Sequence, residues 1–457
     1  MLLEQIDLFA DDDVLWYHQG KSFSANQLRT YISSNAEFLA DVAGKKVALH
    51  VESPLDAAKI LCLLDGVAES VLLLPTEQNT KDMLNFIQTT GSTFLLTDGN
   101  EVGNQTPEDV LVVHVNQLEK SIDHQDVGHR GQAAKTQWII PTSGTTGVPK
   151  LVAHGLDSLT RTVKANRKVG KEYTWGLLYG LTRFAGLQVF LQCLYSGSSL
   201  VLLSGKESTR DALSQLAAAG CNALSATPTM WRKMMMSDLH TNLELKQITL
   251  GGEPSDQQVL SALAKAFPNA RIVHIYASTE AGVGFAVTDG REGFPTSYLS
   301  SSPGHVQLKV SQDGFLLLKP GQFNQSYIGL KQSLAQEDGY INTGDLVQLK
   351  QDRYVFLGRA NGAINVGGNK VQPEEVESVI RDFSGVKLVS VYAKSSPIMG
   401  DLVAADIVID GEIEDRKMFK KELVEHCRKE LATYKIPALI KFTDDIKLNH
   451  TGKILRS

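Results

Sequence analysis

Short apolar runs rich in β-forming residues recur between stretches of helical spacing, and that alternation constrains this chain's fold more than any other feature. Residues 46–51, 71–74 and 93–96 read as strands, and 55–64 read as a helix between the first two. A strand that returns parallel to its neighbour needs a crossover of a dozen residues or more, which a helix supplies. The pattern therefore predicts an α/β fold of βαβ units with helix-covered, largely parallel sheets. It resumes with strands at 199–203, 223–226, 247–250 and 271–276 and a helix over 256–266. Ligands in such sheets sit at the carboxyl ends of the strands.

From about Gly304 the texture changes to short runs with alternating faces, such as 306–310 and 314–319, divided by Gly, Asn and Asp turns. A small antiparallel β unit over about 304–357 follows. Gly358-Arg359-Ala360-Asn361-Gly362 then places two glycines and an Asn in five residues, which suits either a boundary or a plain turn. The division expected is a large N-terminal domain, 1–357, a link at 358–361 and a smaller α/β C-terminal domain, 362–457. In the latter, Pro373 followed by Glu374, Glu375 and Glu377 opens a helix, with acids at the positive end of its dipole.

Composition removes several classes. With 42% hydrophobic and 21% charged residues the 457-residue chain is globular, neither disordered nor fibrous. A formal net charge of −6 offers no basic field for nucleic acid. The start, Met1 to Asp13, is acidic and lacks an apolar secretory core, and no run reaches the ~20 apolar residues of a membrane span, so a cytoplasmic address is expected. Cys62, Cys193, Cys221 and Cys427 are scattered, without zinc or disulfide spacing, and read as reduced structural thiols.

Against that background the loop Thr142-Ser143-Gly144-Thr145-Thr146-Gly147-Val148-Pro149-Lys150 stands out. Its glycines let the backbone approach a ligand, its hydroxyls and N–H groups donate to phosphate oxygens, and Lys150 adds a mobile cation. It differs from the GxxxxGK[ST] loop in both glycine spacing and ending. The alternative is a hydroxyl-rich surface turn. Four later segments carry chemistry only weakly one at a time. Tyr276-Ala277-Ser278-Thr279-Glu280 follows a strand and offers a ring, hydroxyls and a carboxylate, or an ordinary strand-end turn. Asp345 in Asn342-Thr343-Gly344-Asp345 can accept from a sugar diol, Arg359 can brace a sugar or phosphate, and Lys453 in Thr451-Gly452-Lys453 can meet an anion; each is also a common solvated charge.

In their order, these segments with Gly251-Gly252-Glu253-Pro254 resemble the adenylate-forming superfamily of acyl- and aryl-CoA ligases, firefly luciferase and peptide-synthetase adenylation domains. The resemblance runs from about residue 138 onward. It implies ATP and Mg²⁺ as cofactors, a carboxylic acid activated to an acyl-adenylate with release of pyrophosphate, and transfer to CoA or to the phosphopantetheine of a separate carrier protein. A nucleotide-binding or regulatory member of reduced activity is the alternative, although such a protein would be expected to lose Lys453 or Glu280. By the same resemblance Thr142 to Gly147 with Lys150 would grip the β- and γ-phosphates, while Gly252, Glu253, Pro254 and Tyr276, flanked by Ala277 and Ser278, would enclose adenine. Thr279 would touch the α-phosphate, Glu280 would hold Mg²⁺, and Asp345 with Arg359 would fix the ribose. Lys453 would span carboxylate and α-phosphate as the catalytic cation. Gly367 and Gly368 would line the pantetheine path, or simply form a hairpin turn. Asn361 would be the hinge on which the C-terminal domain turns between the two half-reactions.

The acid itself is expected among residues 179–186, 226–229 and 274–282, including Tyr179, Arg183, Phe184, His274 and Ala281. Arg183 stands where such ligases commonly carry histidine. It is expected either to meet a second anion on the acid or the thiol path, or to be an arginine at a helix start paired at the surface. Ala277 replaces the usual glycine.

Overall fold

The computed structural model describes residues 1–99, 106–118, 135–142, 150–301, 306–320, 326–329, 338–366, 369–396, 400–411, 413, 415–449 and 452–456. Two large sheets carry the N-terminal part. The first has seven strands in the order Ser326–Ile328, Leu151–His154, Gln137–Pro141, Ser70–Leu73, Lys46–His50, Phe94–Thr97 and Leu111–His114. Its last five strands are parallel, and Leu151–His154 turns back antiparallel on Gln137–Pro141.

The second has eight, in the order Gly282–Val287, Arg271–Ser278, Gln247–Gly251, Ala223–Ala226, Thr174–Leu177, Ser199–Leu202, Val14–His18 and Lys21–Ser24. Its six inner strands run parallel, and antiparallel neighbours close each edge. The N-terminal hairpin on one edge turns through Gln19 and Gly20, both at positive φ (49° and 75°), and sets Trp16 opposite Leu200.

Two apolar helices fill the space between the sheets. Pro54–Leu64 is capped by Ser53, whose side chain accepts from the Asp56 N–H, and starts with Pro at its first position. It is buried from Ala57 to Leu64, as a helix walled in on both sides must be. Phe184–Ser196 ends at Gly197 in the left-handed conformation and packs its leucines into the same core as Val47, Leu73, Trp138, Leu177 and Leu200. Burying each such leucine contributes about 1.5–3 kcal/mol.

A third, antiparallel sheet follows: Phe294–Pro295, Arg353–Arg359, Ile341–Lys350, Phe315–Pro320 and Val306–Val310. After the single turn Ala360–Gly362, a smaller five-stranded sheet with helices Pro373–Arg381 and Arg416–Glu430 forms its own core around Val376, Val391, Ile407 and Leu423. The apolar clusters before the link reach no further than Phe356 and those after it begin at Ile364, so among the described residues none spans both parts. All four cysteines are free and buried. No described helix is long and apolar enough to cross a membrane.

Candidate active site

The carboxyl ends of the second sheet's strands, the third sheet and the C-terminal part enclose one cavity of about 1740 Å³. Its floor at the inner strands is Ser225, Gly251 and the segment Tyr276 to Glu280, where a parallel sheet presents its ligand face. Thr227 caps helix Pro228–Met235 by accepting from the Met230 N–H at 3.1 Å, and its hydroxyl also donates to the Gly452 carbonyl at 2.5 Å. One threonine thus ends a strand, starts a helix and holds the C-terminal tail.

That tail is a short hairpin. Leu448 bridges Ile454, the Asn449 N–H donates to the Lys453 carbonyl at 2.8 Å, and the Lys453 N–H donates to Asn449 Oδ1 at 3.0 Å. The hairpin carries the Lys453 side chain into the cavity and over Gly252. Gly252 sits at φ +81°, and a Cβ there would lie 3.2 Å from Lys453 Cε, so the glycine leaves both the turn and the lysine room. Burial lowers the Lys453 pKa, Glu253 and Asp345 pull it back up, and Arg359 and Arg183 push it down. A desolvated ammonium among two acids and two guanidiniums is a cation held ready for an added anion.

The other predicted groups converge around it. Glu253 accepts from the Thr229 N–H at 3.1 Å and hydroxyl at 2.7 Å, and Pro254 lines the wall beside it. Asp345 accepts from Arg359 Nε at 3.0 Å and from the Tyr276 hydroxyl, and its own N–H donates to Thr343 Oγ1. The Tyr276 ring stacks on Phe285 and Phe356, with centroids 5.3 and 5.1 Å away. Burial and the neighbouring Asp345 raise the Tyr276 pKa, so the phenol stays a donor. Ala277, Ser278, Thr279 and Glu280 all line the cavity, and Ser278 Oγ accepts from the Ala281 N–H at 3.0 Å.

No cluster of three or more acidic, His or Cys side chains able to hold a metal occurs among the described residues. A single carboxylate at Glu280 fits Mg²⁺, which is usually held by one or two carboxylates together with substrate phosphates. Thr142 is buried; its N–H donates to the Lys150 carbonyl at 2.8 Å and its hydroxyl accepts from the Lys150 N–H at 3.3 Å, so the first and last residues of the hydroxyl-rich segment are paired. Lys150 Nζ lies 4.9 Å above the Tyr327 ring. Ser143, Gly144, Thr145, Thr146 and Gly147 lie outside the described residues, as do Gly367 and Gly368.

On the acid side Tyr179, Phe184 and His274 line the cavity. The Tyr179 hydroxyl donates to the Gly251 carbonyl at 3.4 Å, and His274 Nε2 pairs with the Arg291 carbonyl at 3.1 Å. Ala281 does not line the cavity: strand Gly282–Val287 folds back on Arg271–Ser278, and this turn buries Ala281 in the core of the third sheet with Phe285 and Phe294. Arg183 lines the wall at the start of helix Phe184–Ser196 and is ion-paired with Glu77. Its side chain and that of Glu77 are 20% and 25% exposed, so the pair sits in the cavity wall and not at the open surface. Asn361 is exposed within the Ala360–Gly362 turn, outside the cavity.

Sequence reasoning reached Thr227 only as part of the segment 226–229 and did not single out Glu77 or His154. Thr227-Pro228 carried a readable signal, a capping hydroxyl before Pro at a helix start. The partnership of Glu77 with Arg183 spans two sheets and has no local pattern.

The description "AMP-binding enzyme" matches residues 4–317, and "AMP-binding enzyme C-terminal domain" matches 375–453. The chain is 24% identical over 437 residues to the 2-succinylbenzoate–CoA ligase of Staphylococcus epidermidis, covering 92% of this chain and 89% of that one. It is 26% identical over 418 residues to the enzyme of that name from Bacillus subtilis, covering 87% and 83%. Its fold is similar to o-succinylbenzoate CoA synthetase from Bacillus subtilis in complex with an acyl-adenylate intermediate, with a TM-score of 0.76 at 21% identity over 100% of this chain and 96% of that one. It is also similar to ATP-bound MatB from Rhodopseudomonas palustris, with a TM-score of 0.79 at 19% identity over 99% and 96%.

Proposed function

We propose, since this chain belongs to the AMP-binding enzyme family, that it is an acid–thiol ligase working in two steps. In the first, a carboxylate oxygen of the acid attacks the α-phosphorus of ATP; the bond to the β-phosphate oxygen breaks, and acyl-adenylate and pyrophosphate result. In the second, a thiolate attacks the acyl carbon, AMP leaves, and a thioester forms. CoA is the thiol acceptor that the relatives' names support; the phosphopantetheine of a carrier protein presents the same arm and is the other acceptor to test.

The observation that carries this reading is the Lys453 ammonium, half-buried over Gly252 in the cavity that Thr279, Glu280, Asp345 and Arg359 also line. Carboxylate and triphosphate are both anions, and their approach concentrates negative charge where the new bond forms. A preorganised cation there stabilises the transition state more than the separated reactants. In this reading the Asp345 carboxylate, oriented by Arg359 and Tyr276, accepts from the ribose hydroxyls. Thr279 donates to the α-phosphate, and Thr142 to Gly147 with Lys150 hold the outer phosphates. Glu280 would hold Mg²⁺, which when bound neutralises phosphate charge. Residues 1–357 then bind nucleotide and acid, 358–361 link, and 362–457 deliver Lys453.

The test is carboxylate-dependent exchange of labelled pyrophosphate into ATP across a panel of acids, with 2-succinylbenzoate and anthranilate among them because enzymes similar in sequence or fold act on those acids. Lys453→Ala should lower exchange by on the order of a hundredfold or more, the scale for removing a transition-state charge partner. It should spare thioester formation from a supplied acyl-adenylate, because only the first step needs that cation. No exchange with any acid, or equal loss of both steps in the variant, would overturn the reading.

A further inference from the structure

The contacts that dock the C-terminal part on the N-terminal part are polar. Lys233 meets Asp445 at 2.7 Å, Gln258 Nε2 donates to Asp382 Oδ1 at 2.6 Å, and Thr227 donates to Gly452 at 2.5 Å. With no shared apolar cluster among the described residues, such an interface is of the kind that opens and closes.

One ion pair across this interface is buried. Asp256, at the start of helix Gln257–Ala266, lies 2.5 Å from Arg232 of the N-terminal part and 3.3 Å from Arg381 of helix Pro373–Arg381 in the C-terminal part. The three side chains are only 18%, 13% and 13% exposed, so solvent screens this bridge far less than the Lys233–Asp445 pair, where the acid is 68% exposed. Burial alone would raise the Asp256 pKa; Arg232 and Arg381 outweigh it and hold the carboxyl ionised.

We propose that Asp256 is a latch: by bridging Arg232 and Arg381 it holds the C-terminal part docked with Lys453 in the nucleotide cavity, and its release withdraws the lysine. The inference rests on the reading above that Lys453 serves the first step. The charge arrangement explains why this bridge can both hold and let go. Breaking a buried ion pair is costly when it strands a charge. Here Asp256 keeps Arg232 when Arg381 departs, and Arg381 keeps Glu377 at 3.9 Å on its own helix. Neither part is left with an orphaned ion, so two arrangements are open to the chain. Asp256 touches no reacting atom in this scheme and is a positioning residue.

Two variants isolate the effect. Arg381→Met removes the crossing contact and leaves the Arg232–Asp256 pair; Asp256→Asn removes the charge and preserves a good helix cap, the role Asp256 fills for the Val259 N–H at 3.0 Å. Both should lose pyrophosphate exchange by about tenfold or more, the scale for misplacing a catalytic group. Both should retain transfer from supplied acyl-adenylate to CoA, and Arg381→Lys should restore part of the exchange. Exchange at the wild-type level, or a parallel fall of both steps, would overturn the latch. Small-angle X-ray scattering reads docking without activity: Arg381→Met should show a larger radius of gyration than the wild type. Equal radii sink the latch even if the wild type activates no acid, so the latch and the proposed function fail separately.

Discussion

His154 is a buried, acid-sensitive group beside the site. It is 1% exposed, its ring lies 5.6 Å from that of Phe184, and burial lowers its pKa from 6.5 to about 4 while the Thr279 backbone pulls the other way. With the folded pKa below the unfolded one, the unfolded chain binds more protons, so stability falls as pH drops from about 6.5 towards 4 and levels off below that. The loss should approach about 3 kcal/mol, at roughly 1.4 kcal/mol per pH unit. Urea unfolding at pH 7 and pH 4.5 should show it, and His154→Gln should flatten the difference; an unchanged slope would remove His154 from the account. At this scale much of the site was legible. Lys453, Asp345, Arg359 and Glu280, each standing in a recognisable local sequence, line one cavity. Asp256, Glu77 and His154 were not legible, since their importance comes from partners far away in the chain. Arg183 had two readings, and its pairing with Glu77 inside the cavity wall belongs fully to neither.

At the scale of elements, the strands at 223–226 and 247–250 fall where the residues placed them, as Ala223–Ala226 and Gln247–Gly251, and the helix read over 256–266 is Gln257–Ala266 with Asp256 as its cap. Local periodicity suffices there because each element satisfies its own backbone and one buried face. The hairpin Val14–Ser24 was not foreseen: its place on the second sheet is set by pairing with Ser199–Leu202, and the turn at Gln19-Gly20 carries no strong sequence signal. The end of strand Arg353–Arg359 shows how tightly elements meet at the link. Gly358 has φ +124°, and a Cβ there would lie 2.4 Å from Glu374 Oε2 on helix Pro373–Arg381. Gly358→Ala should therefore displace the Glu374 carboxylate and cost about 1–3 kcal/mol, chiefly through backbone strain at positive φ. A melting temperature equal to that of the wild type would count against this packing.

Among the described residues, the apolar clusters before and after the link are separate. The C-terminal core around Val376, Val391, Ile407 and Leu423 is complete within residues after Gly362. Expressed alone, residues 363–456 should unfold in one cooperative transition by circular dichroism, and the N-terminal part alone should bind ATP yet give no pyrophosphate exchange, lacking Lys453. A C-terminal piece without a cooperative transition would mean that docking is needed for its folding.

Lys150 rests over the Tyr327 ring 4.9 Å away, and under the proposed function this would give nucleotide capture a particular character. The lysine already has a partner before any phosphate arrives. Capture is then an exchange of companions, and the attraction given up, about 0.5–2 kcal/mol for a cation on an aromatic face, is subtracted from whatever the new contact provides. Removing the ring while keeping the ammonium would thus tighten the grip on ATP, with the aromatic acting as a built-in competitor that keeps the loop's hold weak enough to let pyrophosphate go.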